Sequence, residues 1–144
     1  MKEVKAYSNC FVCGEKNQYG LQVKFYSDGK ITTAEFTPTE KVSGYKNVFH
    51  GGVMAALLDE VMIKTLIAND WLAVTSRMTL SYKKPANMGE KILFKGEIVE
   101  NRKKLVTTKG TATTSTGELL AESEGIYFII EGEFREKLKE SLER

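Results

Sequence analysis

The chain has 144 residues, 42% hydrophobic and 28% charged, which suits one globular domain and leaves no room for two. Its 21 basic and 19 acidic side chains leave a net charge of +2, too weak a field to imply nucleic-acid binding, so any anion site must be local. No apolar run approaches the roughly 18–20 residues that span a bilayer. The first ten residues carry charges but no apolar leader core, so no membrane partner and a cytoplasmic location are expected.

In chain order, Cys10 and Cys13 come first. A structural zinc site needs four ligands and no second pair exists, so no metal is expected and the thiols are read as packing under an N-terminal loop. Residues 21–26 read as a strand. Ser27-Asp28-Gly29-Lys30 supplies a turn, and residues 31–36 alternate as a second strand, which predicts a hairpin. After a loop with Pro38 and Gly44, residues 53–67 form the longest apolar segment, without proline or internal glycine. Apolar residues lie nearly all round its helical wheel, the mark of a buried helix. Four strands are predicted next, over residues 72–82, 92–99, 105–114 and 119–130, with turns at Asn101-Arg102-Lys103 and Thr116-Gly117. Phe134, Leu138 and Leu142 recur every four residues and predict a short amphipathic helix over 133–144.

The predicted order is β-β-α-β-β-β-β, with the last four strands as antiparallel meander neighbours. An antiparallel sheet of about six strands and one apolar helix has one economical solution: the sheet curls around the helix. The expectation is an α+β protein of hotdog architecture, one domain over 1–144.

Chemistry narrows quickly. The chain has no serine nucleophile elbow, Walker loop or dinucleotide fingerprint, and only one histidine. Glu60 has Lys64 four residues on, the favourable spacing for an exposed ion pair. Asp59 sees only Ala55, Ala56, Met62 and Ile63 at helical spacing, and a carboxylate among such neighbours is costly unless another element pairs with it or its function needs it. His50-Gly51-Gly52 opens the helix. Two glycines admit a ligand close to the backbone, and first-turn N–H groups can polarise a carbonyl. His50 is read as bracing this loop.

Gly52 and Asp59 are separated by roughly 10 Å of helix at about 1.5 Å per residue. One helix cannot bring both to one reacting carbonyl. Two antiparallel helices across a two-fold axis can, so the site is expected to be shared in a homodimer.

These residues resemble a family. His50-Gly51-Gly52 followed by Leu57-Leu58-Asp59-Glu60 resembles the HGG…LLDE signature of PaaI-like hotdog thioesterases, which act on acyl-coenzyme A. Asn47, the strand end Ser81-Tyr82-Lys83-Lys84-Pro85 and Cys10-Phe11-Val12-Cys13-Gly14…Asn17…Gly20-Leu21 extend the likeness over nearly the whole chain. The resemblance implies that Asp59 attacks the thioester or activates water, that the Gly52 N–H polarises its carbonyl, and that a hydroxyl near Thr75 orients water. Family members often carry a polar residue about six positions before the histidine, where this chain has Gly44, and Asn47 is the candidate substitute. The family forms dimers that pair into tetramers.

The reading is therefore an acyl-CoA thioesterase that uses no cofactor. His50, Gly51, Met54, Leu58 and Met62 are expected to bind substrate, the last three lining an acyl pocket between two helices. Arg77, Lys83, Lys84, Arg102, Lys103 and Lys104 are the basic residues available for coenzyme A phosphates, with Arg77, Lys83 and Lys84 preferred. Two alternatives stay open: a non-catalytic acyl-CoA sensor of the same fold, and a dehydratase acting on acyl thioesters with His50 as its only histidine.

Overall fold

The structure is a computed structural model that describes residues 1–142. Its elements are β1 (Lys2–Glu3), β2 (Tyr26–Ser27), β3 (Ile31–Phe36), α1 (Gly51–Ile67), β4 (Ala73–Tyr82), β5 (Ile92–Arg102), β6 (Leu105–Thr114), β7 (Leu119–Ile129) and α2 (Gly132–Lys139). All seven strands form one antiparallel sheet in the order β1-β2-β3-β5-β6-β7-β4, and α1 packs against its inner face. This is the hotdog fold.

Paired glycines seat the helix. Gly96 of β5 lies opposite Gly110 of β6. A Cβ on Gly96 would stand 2.4 Å from the carbonyl oxygen of Val61, and one on Gly110 would stand 3.1 Å from Met62 Cγ. The bare backbone at these positions lets α1 approach the sheet more closely than side chains would allow. Leu57, Leu58, Val61, Met62 and Leu66 are then fully buried, together with Ile92, Phe94, Val106, Ala112 and Tyr127 from the strands. Thr65 is buried too, and its hydroxyl satisfies itself on Thr32 Oγ1 at 2.8 Å and Val61 O at 3.2 Å.

Four expectations change. The strand at residues 21–26 shrinks to Tyr26–Ser27, because Gln22 takes a left-handed backbone (φ 53°) and the N–H groups of Leu21 and Val23 bond Phe11 O and Val12 O instead of a strand ladder. The last four strands are not a simple meander. Only β5, β6 and β7 are consecutive neighbours, whereas β4 crosses to the far side of the sheet and pairs with β7. Residues 83–91, with Pro85 and a positive-φ Gly89, give that crossing its length. The ion pair on α1 is not exposed. Lys64 is 0% exposed and Glu60 only 12%, because the N-terminal segment lies over that helix face. The terminal helix ends at Lys139, and residues 143 and 144 of its predicted range lie outside the described residues.

Candidate active site

Asp59 leaves α1 on a stripe with the half-exposed Ala55, Ala56 and Ile63 and the exposed Gly52, spaced by three, four or seven residues so that they share one face. Its carboxylate is not unpaired. Thr75 Oγ1 donates to Oδ1 at 3.0 Å, and Tyr127 Oη donates to the same oxygen at 2.8 Å. The phenol also reaches Asp59's own carbonyl oxygen at 3.2 Å. Oδ2 has no hydrogen-bond partner among the described residues. The carboxylate is thus clamped through one oxygen and presents the other.

Both clamping hydroxyls come from neighbouring strands. A bulge in β4 between Thr75 and Arg77 re-aims the chain at Thr75. On β7, Ala121, Ser123, Gly125 and Tyr127 alternate on the inner face. Gly125 leaves space for the ring, since a Cβ there would fall 2.6 Å from Tyr127 Cε2. Burial, and then the charge of Asp59, push the phenol's pKa well above its ordinary value, so it stays a protonated donor. Sequence reasoning missed Tyr127. The available signal was a phenol on a core face of small residues, since a buried tyrosine hydroxyl needs a partner.

At the helix start, His50 is the N-cap and its Nδ1 accepts from Gly52 N at 2.9 Å. That bond needs a neutral ring with its proton on Nε2. The Gly52 N–H, expected to be free for a substrate carbonyl, therefore already has an acceptor. A Cβ on Gly52 would stand 2.9 Å from His50 Cε1, so the glycine is what lets the ring fold over the first turn. Gly51 is exposed, and its carbonyl accepts from Tyr82 Oη at 2.5 Å.

His50, Gly51, Tyr82, Lys83, Lys84 and Pro85 are among the residues that line an open cleft of about 560 Å³ beside this turn. Four sequence candidates are brought together here, and Tyr82 is a further member. Lys83 and Lys84 already carry partners, Glu122 at 3.6 Å and Glu118 at 2.7 Å. Arg77 is exposed on β4 and is not part of the lining. Asn47, with positive φ, meets Met88 N through its carbonyl, and its side chain makes no hydrogen bond among the described residues. It is not brought to Asp59.

Met54, Leu58 and Met62 depart from expectation. Their exposures are 4%, 0% and 0%, and Met62 Sδ lies 3.5 Å from Ser123 Oγ inside the sheet. They fill the chain's own core because they lie on the flank of α1 turned to the sheet, to one side of the Asp59 stripe.

On the covered face, Lys64 Nζ reaches Glu60 Oε2 at 3.8 Å and Lys5 O at 2.5 Å, and it lies over the rings of Tyr7 and Phe25. Burial above all, then Cys10, pushes Glu60 up to about 8. Among the described residues, no helix is long and apolar enough to cross a membrane.

Fold and site together define a hotdog protein with a hydroxyl-clamped carboxylate on its central helix. A family model described as the thioesterase superfamily matches residues 46–121, more than half of the sequence, and the chain belongs to that superfamily. Acyl-coenzyme A thioesterase 13 of Homo sapiens is 28% identical over 106 residues, covering 65% of this chain and 76% of that protein. An uncharacterized protein of Schizosaccharomyces pombe is 35% identical over 79 residues, covering 52% of this chain and 45% of that protein. The crystal structure of a thioesterase superfamily protein superposes with a TM-score of 0.78 at 26% identity, covering 85% of this chain and 61% of that one. The chain thus spans less than two thirds of the length of the yeast protein and of the crystallised chain.

Proposed function

We propose that this protein hydrolyses an acyl thioester of coenzyme A to the free acid and the thiol, with Asp59 as the reacting carboxylate. The observation that carries this reading is the clamp. Thr75 and Tyr127 hold Oδ1, while Oδ2 is left free on a half-exposed helix face. Such a carboxylate can take a proton from water as the water attacks the thioester carbon, and the departing sulfur recovers a proton as the C–S bond breaks. Family membership and the similarity to acyl-coenzyme A thioesterase 13 support the substrate class.

The cleft at Gly51 and the carboxylate at Asp59 lie about eight helical residues apart in one chain, roughly 12 Å. They meet at one substrate when a second copy packs its α1 antiparallel, stripe to stripe. The exposed Gly52 and the half-exposed Ala55 and Ala56 permit close helix approach. A bound carbonyl replaces His50 Nδ1 as acceptor of the Gly52 N–H, and the first turn stabilises the oxyanion. Lys83 and Lys84 border the cleft, where they exchange glutamate partners for phosphate. The acyl chain runs along the Asp59 stripe, not against Leu58 and Met62. The dehydratase alternative needs His50 as a base, but its Nδ1 caps the helix and no carboxylate bonds it among the described residues.

Thiol release from a panel of acyl-CoAs tests the proposal. Asp59→Asn should lower kcat/KM by about 10²–10⁴-fold, and equal release by both proteins would refute catalysis by Asp59. Co-refolded Asp59→Ala and Gly52→Pro chains should regain activity that neither shows alone. An inactive mixture would refute the shared site.

A further inference from the structure

The α1 face carrying Glu60 is covered by the loop Cys10-Phe11-Val12-Cys13-Gly14. This loop is tight: Gly14 N bonds Cys10 O at 2.9 Å, and Cys13 N points at Cys10 Sγ at 3.4 Å. Only glycine closes it, since a Cβ on Gly14 would stand 2.5 Å from both Cys10 N and Ser8 O. The turn directs both sulfurs onto the helix. Cys10 Sγ lies 3.6 Å from Glu60 Oε1, and Cys13 Sγ lies 4.0 Å from Glu60 Oε2. The three ligand atoms all fall within 4.8 Å of one another.

A tetrahedral zinc ion with bonds of about 2.3 Å to sulfur and 2.0–2.2 Å to oxygen needs ligand-to-ligand edges of about 3.6–3.8 Å. From edges of at most 4.8 Å, the cluster needs a contraction of no more than about 1 Å to reach them. Charge agrees with this. Two thiolates and a carboxylate carry three negative charges when ionised, and Lys64, fully buried beside Glu60, supplies one positive charge. A divalent ion brings the total to zero, where burial of net charge would otherwise be costly. Soft thiolates favour zinc over magnesium or calcium. Counting cysteines and histidines along the sequence hid the third donor, which lies 47 residues beyond Cys13.

We infer that Cys10, Cys13 and Glu60 form a zinc site, with water as fourth ligand, that fastens the N-terminal loop to α1 directly behind Asp59. Binding releases the protons held by the two thiols and by Glu60. The site is separate from the proposed active site and does not depend on it.

Cobalt titration reads the site without any activity assay. The full chain, free of histidine tags, is reduced, stripped with chelator and titrated with Co²⁺, then with Zn²⁺. The expected result is one equivalent bound with a sulfur-to-cobalt charge-transfer band, bleached by one equivalent of zinc, and a melting temperature that rises until that equivalent is reached. Cys10→Ser and Cys13→Ser should abolish the band, and Glu60→Gln should weaken binding on the order of tenfold or more. A wild-type chain with two reduced thiols and no charge-transfer band overturns the inference. So does Cys13→Ser binding as tightly as wild type, or a wild-type chain that closes a Cys10–Cys13 disulfide under these reducing conditions.

Discussion

Tyr127→Phe isolates what the clamp does. The ring is fully buried and keeps its volume, so no cavity opens, and the perturbation is one hydroxyl lost from 2.8 Å of Asp59 Oδ1. A hydrogen bond to a charged acceptor is worth about 1.5–3 kcal/mol. Thr75 remains at 3.0 Å and the carboxylate is half-exposed, so water can replace part of the loss. The lower end, about 1.5 kcal/mol, is therefore expected. If that energy acts on the position of Oδ2 in the transition state, kcat falls roughly tenfold, at 1.36 kcal/mol per decade, while KM moves little. If it acts on the fold, the melting temperature drops by about 4 °C per kcal/mol. The assay pairs thiol release under saturating acyl-CoA with thermal unfolding of the same preparation. A lowered melting temperature with kcat unchanged would reduce Tyr127 to a packing residue and remove the clamp from the mechanism. Combining Tyr127→Phe with Thr75→Val should cost more kcat than the two single losses multiplied, because each hydroxyl partly covers for the other.

Gly96→Ala places a methyl against Val61 O, so the urea midpoint should fall by the equivalent of about 1–3 kcal/mol with an unchanged m-value; an unmoved midpoint would contradict the close seating of α1. Tyr82→Phe removes the donor to Gly51 O and should raise KM several-fold while barely moving the melting temperature, as suits an exposed cleft residue. Asp28 accepts from Lys30 N at 2.8 Å and Ile31 N at 2.9 Å, which holds its carboxyl below the ordinary 3.8. Its contribution is present above that pH and lost as pH falls through the lower folded value. Asp28→Ala should therefore lower stability at neutral pH and show a shallower decline below pH 4 in an acid titration of unfolding.

Local signals carried much of the architecture. The apolar run opened by His50-Gly51-Gly52 identified α1, and the carboxylate without a helical neighbour singled out Asp59. What escaped was set by distant pairing. Tyr127 lies 68 residues from Asp59, and no spacing rule on either element links them. The crossing of β4 to β7 depends on how the sheet closes round α1, whereas the meander expectation used only short turns. Glu60 and Lys64 were placed on a wet surface because helical spacing does not register an N-terminal loop folding back over them. Leu58 stands next to Asp59 in sequence, but a one-residue step turns about 100° round a helix, which separates core from stripe.

Thr75 belongs to β4, and β4 is the last strand of the sheet, with one edge unpaired among the described residues. Whatever zips onto that edge also sets the tilt of the hydroxyl that steadies Asp59. Under the proposed function, pairing of a second copy on that edge gears assembly to turnover: an edge substitution far from any substrate would register first as a change in rate.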